Sequence, residues 1–506
     1  HNGLIAAGYL AGAGLKTLVL ERRDIAGGAC VTEEIAGAPG FRVSTGAAQV
    51  GNLRPEIIRD LDLHAHGLEF ITPDPLSVFP FPDGRYLALW TDPAKTRAEF
   101  AKFSEADAAA LPAYMADCMA VCDVLEPLLY GDAVPDLAGV AAAFAAAGRA
   151  ELFEPFVIGS MADVLDARFE ADQTKAVLGY TATFGTNADP RTPGTAYVMA
   201  HHLFGGTVGV RGRAVYVLGG MGGLADALAA SARHRGADIR TDADVAAIQM
   251  KAGRAVGVEL ENGETIAARA VVSNADPWRT FQGLVGAAHL DGAFVQSLQG
   301  IEMQGVALKV NAALSRLPKF AALPDDLTPA RVSLCPSMAY VEAAWAEASR
   351  GLLSSAPYMT VHMQSAVDPS LVDGDGHTLT CYAQFFPYDL DPELGDWDSQ
   401  REVAGRIVLD TVALFAPDLA DCLIAHETLT PLDLERRFAM TGGHQFHGDL
   451  MPGRLFAERP APGCAGARTP IDGLYLCGAG AHPGGCIWGT PGQGAARAVA
   501  ADLGDG

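Results

Sequence analysis

Several features are scarce or absent in this sequence, and each absence excludes a class of function. There is no CxxC pair, and no cluster of His, Cys, Asp and Glu stands at metal-ligand spacing. The adjacent His201 and His202 fall on a helical stretch, where neighbouring side chains point apart, so no metal site is expected. The nine cysteines are scattered, which reads as reduced, mostly buried thiols in a cytoplasm-like compartment. Positive charge is also short: 36 Lys and Arg against 60 Asp and Glu leave a formal charge of −24. That excludes nucleic acid as a main partner, because a nucleic-acid-binding face must be positive. Shallow apolar contact with a membrane stays compatible. No uninterrupted apolar run reads as long enough to span a bilayer, and the alanine-rich stretch from Ala138 to Ala147 reads as a short buried helix.

What is present begins in mid-motif. Asn2 and Gly3 open a small-residue helix, Leu4 to Gly14, followed by Lys16-Thr17-Leu18-Val19-Leu20-Glu21, an aliphatic strand ending in an acid. This is the back half of a dinucleotide-binding βαβ unit. Its first strand and first two glycines are not in the sequence, which implies a parallel sheet short of a central strand. Glu21 is placed to accept hydrogen bonds from a ribose hydroxyl, and its charge repels a 2′-phosphate. Arg22 and Arg23 follow, and then Gly27-Gly28, where the backbone can approach a phosphate closely. Gly220, Gly222 and Ala225 fit a second GxGxxA pattern, but the preceding strand is short and no acid ends the next one, so no nicotinamide site is read there.

At 506 residues two domains are expected. Between the nucleotide-like stretches lie a helical region, Asp92 to Ala171, and the apolar strand Val306 to Leu314 with a lone lysine, Lys309, inside it. Met359 to Met363 and Leu379 to Phe385 read as further strands, and Asp398 to Phe415 as a long helix. The tail returns to nucleotide-like patterning. Gly473 to Gly480 is a buried strand breaking into glycines, and Gly489 to Gly494 feeds a helix, Ala495 to Leu503. A glycine-rich loop before a helix N-terminus sets partial positive charge beside an anion or an electron-rich ring.

These motifs together carry a resemblance. Asn2-Gly3, Leu18 to Arg23, Gly27-Gly28, Val272-Ser273-Asn274-Ala275-Asp276, Thr441-Gly442-Gly443, Arg459 to Gly463 and Leu474 to Gly485 resemble the phytoene desaturase-like branch of the amine-oxidase superfamily of FAD enzymes. The resemblance implies an α/β fold: a Rossmann-like, three-layer FAD-binding domain with a parallel central sheet, joined to an α+β substrate domain. The FAD domain would comprise residues 1–75, 205–280 and 460–506; the substrate domain with its helical cap would comprise residues 76–204 and 281–459. It further implies that Asn2 and Gly3 face the pyrophosphate and Glu21 the adenosine ribose, with Arg22, Arg23, Gly27 and Gly28 along the diphosphate and ribityl chain. Val245 would meet the adenine edge, with Asn274, Gly478, Ala479 and Gly480 beside the phosphates. Gly489, Pro491 and Gly492 would deliver a helix N-terminus to the flavin. Lys309 matches the lysine that holds a water at flavin N5 in amine oxidases, and a Lys309→Met change would then slow flavin reoxidation. His482 and Trp488 are the other residues assigned to the flavin's surroundings.

The activity implied is hydride abstraction or desaturation of a small, apolar, carotenoid- or isoprenoid-like substrate, with oxygen or a quinone as electron acceptor. A redox-neutral carotenoid-type isomerase, an amine oxidase relative and a non-catalytic FAD-fold regulatory protein stay open as alternatives. The aromatic pair that cages amines has no counterpart around Gly484 to Gly489, which counts against amine oxidation. A chain starting at His1 is expected to hold its flavin weakly. A cytoplasmic location with peripheral membrane contact, and a homodimer, complete the expectations.

Overall fold

Side chains alternate between apolar and polar along the central strands of the larger sheet, and that alternation gives the sheet one face for a core and one for a cavity. A computed structural model describes residues 1–504 apart from Asp132 and Ala465. Its strands are β1 (Leu18–Leu20), β2 (Thr32–Ile35), β3 (Ala38–Ser44), β4 (Phe70–Ile71), β5 (Ser77–Pro80), β6 (Tyr86–Leu89), β7 (Tyr216–Val217), β8 (Asp238–Arg240) and β9 (Val245–Lys251). Then come β10 (Arg254–Leu260), β11 (Thr265–Ala267), β12 (Val271–Ser273), β13 (Ala307–Leu314), β14 (Arg331–Leu334), β15 (Met359–His362), β16 (His377–Gln384), β17 (Leu423–Leu429) and β18 (Leu474–Leu476). Six helices bear on the site: α1 (Asn2–Gly12), α2 (Glu105–Tyr130), α3 (Thr195–His201), α4 (Met221–His234), α5 (Trp397–Phe415) and α6 (Thr490–Gly504).

The larger sheet has seven strands in the order β17-β13-β16-β15-β14-β5-β6, antiparallel except where β14 meets β5. One face carries Leu308, Val310, Val332, Val361, Leu379 and Cys381, which bury against Ala404, Val408 and Val412 of α5. The period of two then sends Lys309, Arg331, Thr360, His362 and Tyr382 to the opposite face. Register sets them side by side: Lys309 pairs with Tyr382, Tyr382 with Thr360, and Arg331 with His362.

The parallel strands form two separate pairs, β1 with β8 and β12 with β18. The inner strands β1 and β12 each have one strand neighbour, and both line the same cavity. Helices α1, α4 and α6 hold this region together: α1 buries Leu4, Ile5, Ala6, Ala7, Leu10 and Ala11 against the other two. The tail helix starts at Thr490, five residues before the expected Ala495, because Pro491 suits a first helical turn. Gly492 makes the helix pairing close, since a Cβ there would lie 2.3 Å from the Asn2 carbonyl oxygen.

Two features differ from expectation in the helical layer. By length and composition alone, α2 is apolar enough to cross a membrane; here it buries Leu111, Cys118, Cys122, Leu125 and Leu129 along one stripe of the cap. Conversely, the alanine-rich helix Leu137–Ala146 buries only Val140 and Phe144 and lies on the surface. The glycines of the 220–222 pattern pack against the β2–β3 hairpin: a Cβ on Gly220 would lie 2.3 Å from Thr32 Oγ1, and one on Gly222 2.9 Å from Thr32 N.

Candidate functional site

A cavity of about 1400 Å³ runs from α1 and the paired parallel strands to the polar face of the larger sheet. Single-ligand pockets are commonly about 300–1,000 Å³, so the space admits a dinucleotide and a second molecule together.

At one end the cavity is built for an anion. α1 begins at the wall with no side-chain cap and no acid in its first turn, leaving its first N–H groups and the positive end of its dipole available. His1 Nε2, Asn2 Oδ1 and Arg23 Nη1 are buried there without partners. Gly28, at φ +63°, faces open space, and Gly27, at φ +137°, leaves no room for a Cβ beside the Cys30 carbonyl. Arg23 is anchored by Glu33, and Arg22 by the Arg437 carbonyl at 2.9 Å. Glu21 closes β1, accepts the Arg23 amide N–H at 2.9 Å and has its carboxyl pKa raised by burial. The unpaired nitrogens of His1 and Arg23, the free N–H groups of α1, the glycine cradle and an acid at the strand end fit the expected FAD.

Asn2, Gly3, Glu21, Arg22, Arg23, Gly27, Gly28, Val245, Asn274, Ala479 and Lys309 all stand on this wall. The other assigned residues do not. Gly478 and Gly480 are packing glycines, their Cβ positions 2.6 Å from the Asn274 carbonyl oxygen and 2.5 Å from Pro277. Gly489, at φ +75°, is enclosed by Ile5, Leu53 and Ile57, and Gly492 abuts Asn2, so with Pro491 they fasten α6 to α1 behind the wall. His482 is buried against Phe456, with ring centroids 6.1 Å apart, and Trp488 stacks 4.6 Å from His201 in the helical layer. The reason lies between them: Cys486 (φ 83°) and Ile487 (φ 58°) adopt left-handed backbone, unusual for side chains of their kind. The chain thereby turns Gly485, Cys486 and Ile487 to the cavity and sends Trp488 inward.

The far end of the cavity has a different chemistry. Lys309 Nζ donates to the Ser44 carbonyl at 3.0 Å and the Gly46 carbonyl at 2.5 Å. Burial pushes its pKa down to about 7, against the attraction of Glu427. As a neutral amine it satisfies both carbonyls and keeps one lone pair. Around it, Tyr382 donates to Gln445, and the Tyr216 hydroxyl, donating to the Ala330 carbonyl at 2.8 Å, meets His362 Nδ1 at 3.0 Å. Leu178, Phe184, Met199 and Leu203 supply the apolar wall. Sequence reading missed Arg331, His362 and Tyr382. The three strand residues could have been found from the polar positions of otherwise apolar strands, had the strand pairings been known.

The histidines in and behind this wall are held neutral. Burial pushes His447 and His482 down to about 4, and it also holds His201, His202 and His362 below 6.5. The unfolded chain therefore binds protons that the folded chain excludes. Their stabilisation is full above pH 6.5 and is lost as pH falls toward 4. Thermal melts should show Tm dropping across that interval; a level Tm would contradict neutral burial.

Comparison with known proteins agrees with this architecture. The family model described as flavin-containing amine oxidoreductase matches residues 3–316. Pyridine nucleotide-disulfide oxidoreductase domain-containing protein 2 of Mus musculus is 37% identical over 537 residues, covering 99% of this chain and 92% of that protein. The neurosporene-forming phytoene desaturase of Rhodobacter capsulatus is 24% identical, covering 96% and 88% of the two chains. Among solved structures, cyclohexylamine oxidase from Brevibacterium oxydans superposes with a TM-score of 0.61 at 17% identity, covering 99% and 97%. With its fold, its anion-binding helix end and 314 of its residues in the family pattern, the chain belongs to the flavin-containing amine oxidoreductases, whose cofactor is FAD.

Proposed function

We propose that this FAD-dependent oxidoreductase removes a hydride from an apolar, isoprenoid-like substrate and leaves a new C–C double bond. The observation that supports the reading is the single cavity joining the anion-binding end of α1 to an apolar compartment floored by Lys309. Bound FAD would supply the hydride acceptor, with oxygen or a quinone as the final acceptor of the two electrons. Asn2, Gly3, Arg23, Gly27 and Gly28 would hold its diphosphate, and Glu21 its ribose. The protein's own part is binding and exclusion of water: Leu178, Phe184, Met199 and Leu203 surround the substrate. Lys309 offers a lone pair above about pH 7 for the proton that must leave the neighbouring carbon. Substrate delivery from a membrane surface on the cytoplasmic side, and assembly as a homodimer, belong to the same proposal.

The test is reconstitution with FAD, followed by anaerobic addition of an isoprenoid hydrocarbon. Bleaching of the flavin band is the expected result; a persistent oxidised spectrum with bound substrate would refute desaturation. Glu21→Ala should weaken FAD binding about tenfold through loss of a charged hydrogen bond, while leaving affinity for FMN, which has no adenosine, unchanged. Equal loss for both flavins would move Glu21 away from the ribose.

A further inference from the structure

The charge on the cavity wall is unevenly divided. Its acids are Glu21, Asp238 and Asp244, on or beside β1, β8 and β9, all at the nucleotide end. At the other end, among the described residues, no Asp or Glu lines the wall, yet Arg331 does. Arg331 opens β14 on the cavity face of the sheet, three strands from Lys309. Strand spacing puts the two about 15 Å apart.

No carboxylate among the described residues lies within ion-pair distance of Arg331. Its guanidinium is held by the Tyr180 hydroxyl and sits over the same ring, 5.6 Å from the centroid, and its Nε is buried without a partner. The Thr360 hydroxyl, on the same wall, is also buried and unpartnered. His202 and His362, which both feel the charge of Arg331, are kept neutral by burial, with that charge acting in the same direction. A partly buried cation without a carboxylate partner therefore stands on the wall of this compartment, where an anionic head-group would pair with it.

We infer that the second occupant of the cavity is an amphipathic monoanion: a long apolar chain ending in a carboxylate that Arg331 receives. This rests on the reading that the far compartment takes the substrate, and it narrows the substrate class. A wholly neutral hydrocarbon leaves the guanidinium unpaired, and an ammonium head would be repelled by it. Carboxylate geometry matches the planar fork of arginine, with the Tyr180 and Thr360 hydroxyls in place to complete the head-group's shell. The apolar chain would then run along Leu178, Phe184 and Met199 toward Lys309.

The experiment is titration calorimetry of the FAD-reconstituted chain with dodecanoate, dodecan-1-ol and dodecylamine, each below its aggregation concentration. Dodecanoate should bind at least tenfold more tightly than either of the others. The preference should vanish in Arg331→Met and persist in part in Arg331→Lys, with melting curves confirming that each variant is folded. Alcohol or amine binding as tightly as the carboxylate overturns the proposal, as does a folded Arg331→Met that keeps the preference. The head-group series on the unaltered chain decides the matter even if the variants do not fold. Calorimetry needs no turnover, so a chain that fails to bleach yet selects dodecanoate refutes desaturation alone.

Discussion

Arg459→Met should destabilise the chain by about 3–5 kcal/mol. The Arg459 guanidinium is buried and donates to five carbonyls: Phe446 at 2.6 Å, Ala479 at 2.8 Å, Asp449 at 2.9 Å, Gly448 at 3.3 Å and Arg454 at 3.5 Å. Each buried acceptor left unpaired costs about 1–3 kcal/mol, so together they outweigh what removal of the charge returns. That return is readable: burial holds the Arg459 pKa down to about 10, a drop worth about 3 kcal/mol. The same loop carries Phe446 and His447 on the cavity wall, so ligand affinity should fall with stability. Urea unfolding of wild type, Arg459→Met and Arg459→Lys measures this. A loss below about 1 kcal/mol for methionine, or full rescue by lysine, would mean the loop does not depend on the fork.

Lys309→Met should change how stability depends on pH more than stability itself. In the folded chain this lysine titrates at about 7, against 10.5 for an unhindered lysine. The folded state thus disfavours a proton the unfolded state keeps: the cost is full below pH 7 and relaxes as pH rises toward 10.5. Between about pH 7.5 and 9 the wild type should gain roughly 2 kcal/mol from this group, and the methionine variant nothing. At neutral pH the variant escapes that cost, on the order of 4 kcal/mol, but leaves the Ser44 and Gly46 carbonyls unpaired, which returns most of it. The two chains should then be nearly equally stable at neutral pH and diverge at pH 9. Activity is expected to fall about 100-fold or more in the variant, the usual scale for removing a positioned proton-transfer group. Parallel stability curves across pH would contradict the buried, proton-poor lysine.

Much of the fold was legible because its signals are local. The aliphatic run closing in Glu21 and the apolar strand around Lys309 each follow from residue order alone, and each is an element of the structure. A motif carries its own geometry at Gly3, Glu21 and Gly27-Gly28, and the fold sets these residues on the cavity wall. The site was illegible where function depends on register between distant strands. Nothing local marks Arg331, which meets Tyr180 across 151 residues of chain. Arg459 was visible only as part of a motif, and its role depends on carbonyls brought together by folding. Glycines misled for a related reason: the requirement for a missing side chain is the same whether a phosphate or a helix backbone approaches. At Gly489 and Gly492 the approaching group is α1 and its neighbours.

The paired parallel strands have a consequence for how the protein responds to its ligands. β1–β8 and β12–β18 are each three residues deep, shorter than a ladder that holds itself together in water. Both pairs line the cavity, so an occupant packs directly against them. Cavity and wall are then one thermodynamic unit: an occupant present at a hundred times its dissociation constant adds about 2.7 kcal/mol to folding. Amide deuteration at Leu18 to Leu20 and Val271 to Ser273 should slow on loading before any other segment responds, reporting occupancy from the backbone without reference to colour or turnover.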